Sequence, residues 1–328
     1  KTDLTVKKII IENKKAIGVE CISKKEIINY YADGEVLLSA GAINSPQILM
    51  LSGLGSQKQL NEHGINTLVN LEGIGQNLQD HLETYVQYEC TKPVTLFNEY
   101  NPINMALTGI EWFLFKTGTA AHSNLETGGF ARSNDLVDYP NIQYHFFPSL
   151  VLDHGRTNPD RHAFQAHVGP MRPTSRGEIK LKSDDPYAAP SIRFNYMQTE
   201  HDLKEMREGI RLAREIFQQK AFDEFRGKEI NPGNVDNDND LNEFIRNKGD
   251  TAYHPCGTCK MGKDNTSVVN EKLQVYEIEN LRVVDASIMP KIITGNLNAT
   301  TVMIAEKASD YILGQSLPAN NVEFYRAG

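Results

Sequence analysis

One stretch, Ser39-Ala-Gly-Ala-Ile-Asn-Ser-Pro-Gln-Ile-Leu-Met-Leu-Ser-Gly-Leu-Gly55, constrains this chain more than any other. A strand-like run, Glu35–Ser39, feeds small residues and then a helix. Ser45 reads as an N-cap, Pro46 as the first helical position and Gly53 as the stop, so a short helix is expected over Gln47–Ser52. A crossing built of small residues lets a large ligand come close to the backbone, and a helix N-terminus favours anionic groups. Two readings stay open at this level: a nucleotide site and a plain strand-to-helix turn.

Ahead of this stretch, Leu4–Glu12 and Ala16–Ile22 are rich in β-branched residues and Lys24–Tyr31 and Glu35–Ser39 continue the strand-like pattern, with Asn, Asp and Gly turns between them, which predicts a β-meander. Residues 80–250 have a different texture. Phe146, Phe147, His167 and Val168 lie in strand-like runs. Thr199-Glu-His-Asp202 resembles a capping box and opens an amphipathic helix with Leu203, Met206, Ile210, Ala213 and Phe217 on one face. Asn231–Asp240 reads as a polar loop. A strand over Leu281–Val284 and a helix from Asn298 to Leu313, stopped by Gly314, close the pattern. The expected organisation is 1–80, 81–250, 251–314 and a tail over 315–328.

Composition narrows the function. With 34 Lys+Arg against 42 Asp+Glu, a net charge of −8, the chain lacks the cationic footprint of a nucleic-acid binder. The four cysteines are too few for a disulfide scaffold, which points to a reducing compartment. No apolar run, Ile110–Phe115 included, approaches the roughly 18 residues that span a bilayer.

Two further constellations could carry chemistry. In Tyr253-His-Pro-Cys-Gly-Thr-Cys259, the CxxC invites metal or redox readings. Together with His81-Leu-Glu83 it formally matches H-x-E…P-C-x-x-C, the zinc-deaminase pattern, although the two halves are too far apart for that small domain. The second constellation is Val284-Asp-Ala-Ser-Ile-Met-Pro290 followed by Gly295-Asn-Leu-Asn-Ala-Thr-Thr301, a strand end and an Asn-rich helix start. Ordinary capping by Asn298 accounts for part of it but leaves Asn296 unexplained.

Taken together these segments resemble the glucose–methanol–choline oxidoreductases, flavoproteins that oxidise alcohols. Gly41–Gly55 is similar to the family's second signature, and His254–Gly262 with Val284–Thr301 is similar to its carboxy-terminal motifs. Gly75-Gln-Asn-Leu-Gln-Asp-His-Leu-Glu83, His167-Val-Gly-Pro-Met-Arg172 and Phe225-Arg-Gly-Lys-Glu229 resemble the choline-oxidising members, and Leu152-Asp-His-Gly-Arg156 their mitochondrial form. The resemblance implies an α+β / α/β fold, in which an FAD-binding domain is interleaved with a substrate-binding domain on an antiparallel sheet with helices. The family's Gly-x-Gly-x-x-Gly unit, which holds the ADP half of FAD, is missing, so the chain is expected to be the carboxy-terminal part of a longer protein.

The resemblance also implies roles. His254 is the base, a task that suits imidazole with its free pKa of about 6.5, and Asn296 hydrogen-bonds the alcohol oxygen. Glu83, Tyr253 and His145 line the pocket of a quaternary ammonium substrate, choline, whose cation needs aromatic faces and a carboxylate; Trp112 is a further candidate wall. Val6, Ala40, Gly41, Asp285, Ala286, Asn298 and Thr300 fall where the family touches FAD. The remaining implications are a quinone-type acceptor, a setting on the matrix side of the mitochondrial inner membrane and peripheral membrane association. Rival readings are a relative acting on a neutral alcohol, a zinc deaminase, and a fragment without catalysis that leaves an apolar sheet edge near Val6–Ile11.

Overall fold

The computed structural model describes residues 1–125, 127–315 and 317, and divides the chain into two compact units. The first takes in Lys1–Asp80, Ser175–Tyr196 and the described residues from Tyr253 onward; the second takes in His81–Thr174 and Met197–Ala252 among the described residues. The tail expected over 315–328 lies almost wholly outside the described residues.

In the first unit, Thr5–Glu12, Lys15–Ser23 and Glu26–Tyr31 form an antiparallel meander. Asn13 and Lys14, then Lys24 and Lys25, have positive φ, as the tight turns between twisted strands require. The edge over Val6–Ile11 is less bare than expected, since Ile9 is buried and donates its N–H to Ser52 Oγ at 2.8 Å. The fourth expected strand does not continue the meander. Val36–Leu38 instead pairs in parallel with Leu281–Val283, a non-local partnership that no local periodicity encodes.

The helix that follows also differs from expectation. It runs from Gly41 to Leu51, with Ala40 as N-cap and Ser45 and Pro46 inside it. Pro46 has no N–H for the Ala42 carbonyl one turn earlier; the Thr258 hydroxyl donates to that oxygen instead, at 2.6 Å. Ser45 cannot serve as a cap because its hydroxyl is committed to Asp285, at 2.6 Å. Leu49, Met50, Leu54, Leu60, Val283 and Ile304 share the core of this unit.

Residues 175–196 belong with the first unit, a correction to the expected 81–250 domain. Their hairpin, Glu178–Lys180 with Ser191–Arg193, is tied down by Gln59 accepting from Leu181 N–H at 2.9 Å and by Gln47 donating to the Ala188 carbonyl at 3.0 Å. Ile179 and Leu181 enter the same core.

The second unit is built on an antiparallel sheet in the order Arg226–Asn231, Leu82–Cys90, Ala163–Pro170, Ile142–Phe147, Thr127–Ala131, with Asp250–Thr251 also paired to Leu82–Cys90. The helix Glu200–Phe217 covers one face. Thr199 caps it, its hydroxyl accepting from Asp202 N–H at 3.2 Å, and the expected stripe Leu203, Met206, Ile210, Ala213 and Phe217 is buried. Gly209 lets the helix lie close, because a Cβ there would come within 2.9 Å of Val168.

Two helices of this unit, like Gln57–Glu62 of the first, lie outside the sequence expectations. Pro102–Phe115, capped by Asn101, exposes Ile103, Phe113 and Phe115 and so shows no single apolar stripe. Asp238–Lys248 begins inside the expected loop Asn231–Asp240, capped by Asn237 and anchored by buried Leu241 and Ile245.

Candidate active site

Within the first unit the segment Tyr253–Cys259 is held from several sides. Its strain is local: Tyr253 has φ +61 and is 74% exposed. The next N–H, of His254, donates to buried Asp80 Oδ1 at 2.8 Å, and Tyr196 donates its hydroxyl to Asp80 Oδ2 at 2.5 Å. Further on, Cys256 exchanges both backbone hydrogen bonds with Gln79. So anchored, half-buried His254 comes to 3.4 Å, Nε2 to Nδ2, from Asn296, 42 residues further along. An imidazole nitrogen and a carboxamide N–H at one spot can accept a proton and hold an oxygen, respectively.

Asp285 organises a second feature of this unit. It follows the strand Leu281–Val283, which ends beside its parallel partner Val36–Leu38. Its Oδ2 accepts from Gly41 N–H at 2.9 Å and from Ser45 Oγ, while Oδ1 accepts from Ser287 N–H at 2.8 Å. Gly41 has φ +83, and a Cβ built there meets nothing within 4 Å. The crossing is therefore open beyond the carboxyl ends of two parallel strands, where α/β sheets bind ligands. Ala40 donates its N–H to Ser45 Oγ at 3.0 Å, and Ala286 accepts from Gly257 N–H at 3.2 Å. Val6 is half-buried in its strand, opposite Cys21.

The last helix, Asn298–Ile312, differs from the expected capping by Asn298. Leu297 is the N-cap and makes no side-chain cap bond, and Asn298 is the exposed first helical residue, with Thr300 half-buried in the same turn. A helix start without a side-chain cap leaves N–H groups available to an anionic ligand.

In the second unit, alternation along the strands sorts the side chains. Thr84, Val86, Phe164, Ala166, Ile142 and Tyr144 are buried, and their parity is that of Val168, which faces the covering helix at Gly209. The opposite face carries Glu83, Tyr85 and Gln87, with Gln165 and His167 on the next strand and His145 and Phe147 beyond. Glu83, 9% exposed, accepts from His167 Nδ1 at 2.7 Å. Tyr85 lies 4.5 Å from the His167 ring, and His145 lies 6.4 Å from it. Sequence reasoning singled out Glu83 and His145 but missed Tyr85, Gln87, Gln165, His167 and, in the first unit, Asp80. The available signal was the period-two recurrence of polar residues in Glu83-x-Tyr85-x-Gln87 and Gln165-x-His167. Trp112 is exposed on its helix, with the Lys116 ammonium 4.2 Å from its ring centroid.

The His, Glu and Cys residues of the zinc pattern are buried. His81 Nε2 meets the Met171 carbonyl at 3.0 Å, so that nitrogen carries a hydrogen. Burial, with Asp80 adding to it, pushes the Cys256 thiol up to about 12, and burial pushes Cys259 up as well. Among the described residues no three His, Cys, Asp or Glu side chains gather as a metal site.

Comparison with known proteins agrees with this architecture. Residues 1–83 and 173–305 match two models, both described as GMC oxidoreductase. The chain is 50% identical over 313 residues to the mitochondrial choline dehydrogenase of Homo sapiens, covering 94% of this chain and 53% of that protein. It is 49% identical over 313 residues to the oxygen-dependent choline dehydrogenase of Brucella canis, covering 94% and 57%. Among solved structures, the Aspergillus oryzae formate oxidase superposes with a TM-score of 0.89 at 27% identity, over 95% of this chain and 60% of that one. The chain spans about half the length of the curated relatives it matches.

Proposed function

Because this chain belongs to the GMC oxidoreductase family, we propose that it works in an FAD-dependent choline dehydrogenase, which converts choline to betaine aldehyde. The observation that carries the proposal is the meeting of His254 Nε2 and Asn296 Nδ2 at 3.4 Å. The choline hydroxyl donates to His254 Nε2, which takes its proton, while the Asn296 carboxamide N–H holds the oxygen as negative charge develops on it. Asp80 and Tyr196 fix the backbone of His254, so the imidazole meets the hydroxyl without a search through loop conformations.

The first unit suits FAD on three counts: the open crossing at Ala40-Gly41, the buried Asp285 carboxylate that fixes it, and the helix start at Asn298 without a side-chain cap. FAD, when bound, supplies a flavin that accepts hydride from the alcohol carbon. Val6, Ala40, Gly41, Asp285 and Ala286 would hold it by backbone and packing, and the N–H groups of the turn containing Asn298 and Thr300 would favour negative charge on the ring. The formate oxidase neighbour is described in terms of its FAD, which supports the assignment.

For the trimethylammonium group the second unit offers the Glu83 carboxylate, with His145 on the same sheet face, and the first unit offers the exposed ring of Tyr253. Electrons pass on to a quinone-type acceptor. The Homo sapiens relative's name supports a mitochondrial setting, while the Brucella canis relative is about as similar; peripheral membrane attachment completes the proposal. The test is the visible flavin spectrum of the intact holoenzyme. Choline should bleach it, and His254→Ala should slow bleaching by at least about a hundredfold. Bleaching at an unchanged rate in His254→Ala would overturn the proposal, and equal turnover of choline and its uncharged isostere would move the assignment to a neutral alcohol.

A further inference from the structure

We propose that His167 is a positioning residue for Glu83, held in one proton arrangement by two glutamine amides that the backbone of Val151 orients. The inference rests on the reading of Glu83 as the group facing the substrate cation. It starts from atoms whose hydrogen-bonding roles are fixed. The Val151 N–H is a donor and lies 2.8 Å from Gln165 Oε1; the Val151 carbonyl is an acceptor and lies 3.1 Å from Gln87 Nε2. These two contacts set both amides, and Gln87 Nε2 then donates to Gln165 Oε1 at 2.8 Å. Asn231 Nδ2 donates to Gln87 Oε1, completing that amide.

With its oxygen so occupied, Gln165 turns its NH2 toward His167 Nε2, at 2.8 Å. An amide NH2 only donates, so Nε2 must accept, and the ring hydrogen sits on Nδ1, facing Glu83 Oε1 at 2.7 Å. A hydrogen on Nε2 would set two donors against each other in a place where Gln165 and Gln87 are buried. The carboxylate thus receives an oriented N–H while the imidazole brings no second positive charge to compete with the substrate's. Tyr85 flanks the ring at 4.5 Å and limits its rotation. A hydrogen bond from a neutral donor orients an anion without cancelling its field, which is what selection of a cation requires.

The test uses the intact holoenzyme and kcat/KM for choline and for 3,3-dimethylbutan-1-ol, its uncharged isostere. Glu83→Gln should abolish the preference for choline. His167→Phe and Gln165→Met should lower the choline-to-isostere ratio by about tenfold, the loss expected for a hydrogen bond to a charged group, with the change falling mainly in KM. His167→Asn, whose amide can present an N–H near the position of Nδ1, should restore most of the ratio. If Glu83→Gln leaves the preference intact, the reading of Glu83 fails. If Glu83→Gln abolishes it while His167→Phe and Gln165→Met leave the ratio unchanged, only the role of His167 is overturned. Should His167→Phe not fold, Gln165→Met against His167→Asn decides: a lowered ratio in the first with a retained one in the second supports the proposal, and equal ratios refute it.

Discussion

The Ala42 carbonyl offers a sharp test of how the His254 segment is anchored. Pro46 denies it the usual helical donor and Thr258 Oγ1 supplies one at 2.6 Å, with Thr258 fully buried and Ala42 nearly so. Thr258→Val keeps the shape and removes the hydroxyl, leaving a buried acceptor whose loss costs about 1–3 kcal/mol. At about 2 kcal/mol the unfolding constant changes by roughly thirtyfold. In a Pro46→Ala background the helix regains its own N–H for that carbonyl, and Thr258→Val should then cost about 0.5 kcal/mol, the low end for a hydrogen bond whose acceptor keeps another donor. The assay is a double-mutant cycle by urea unfolding of four holoenzymes, with an expected coupling of about 1–2 kcal/mol. Equal costs in the two backgrounds, within about 0.3 kcal/mol, would refute the reasoning.

Two other outcomes follow from the same geometry. Burial raises the pKa of Glu205, and among the described residues its Oε2 has no hydrogen-bond partner while Oε1 accepts from Asn141 at 2.7 Å. An acid raised on folding stabilises the fold below its ordinary range near 4.5 and loses that contribution as pH climbs through the folded value. Glu205→Gln should therefore have a higher urea midpoint than the parent at pH 8, the advantage shrinking as pH falls toward 4.5; an advantage independent of pH would contradict this. At Gly41, with φ +83, an alanine pays left-handed strain of about 1–2 kcal/mol and places a methyl in the open crossing. Gly41→Ala should lose FAD on gel filtration while keeping its far-UV circular dichroism, and stoichiometric retention would argue against the crossing as a cofactor approach.

The parts legible in the sequence are those set by local rules. The meander, the Thr199 cap and the stripe from Leu203 to Phe217 each follow from period and turn chemistry within a few residues. Pro102–Phe115 escaped because its apolar residues run around the helix, and Asp238–Lys248 because its first turn is as polar as the loop before it. Ser45 misled for a physical reason: a hydroxyl suited to capping was drawn to Asp285, 240 residues away. Of the candidate site, His254 and Asn296 were reached by resemblance, since no periodicity marks them, and Glu83 was reached the same way although it opens a period-two polar run. His167 became meaningful only when strand register set it beside Glu83.

That distant contact bears on the order in which the molecule can assemble. Closing a flexible loop of 240 residues, as Ser45 and Asp285 demand, costs about 2.5 kcal/mol more than closing one of about fifteen, and long separations slow folding. The second unit brings its own ends together: Thr251 lies opposite Leu82, and the Ala252 N–H donates to the His81 carbonyl at 2.9 Å. Once that pairing has formed, the chain before His81 and the chain after Ala252 start side by side, and most of the search has already been made. A ribosome emitting this chain thus releases residues 81–252 before the strand Leu281–Val283 that must find Val36–Leu38, and lesions at the seam between His81 and Ala252 should delay maturation as well as disturb the neighbouring His254.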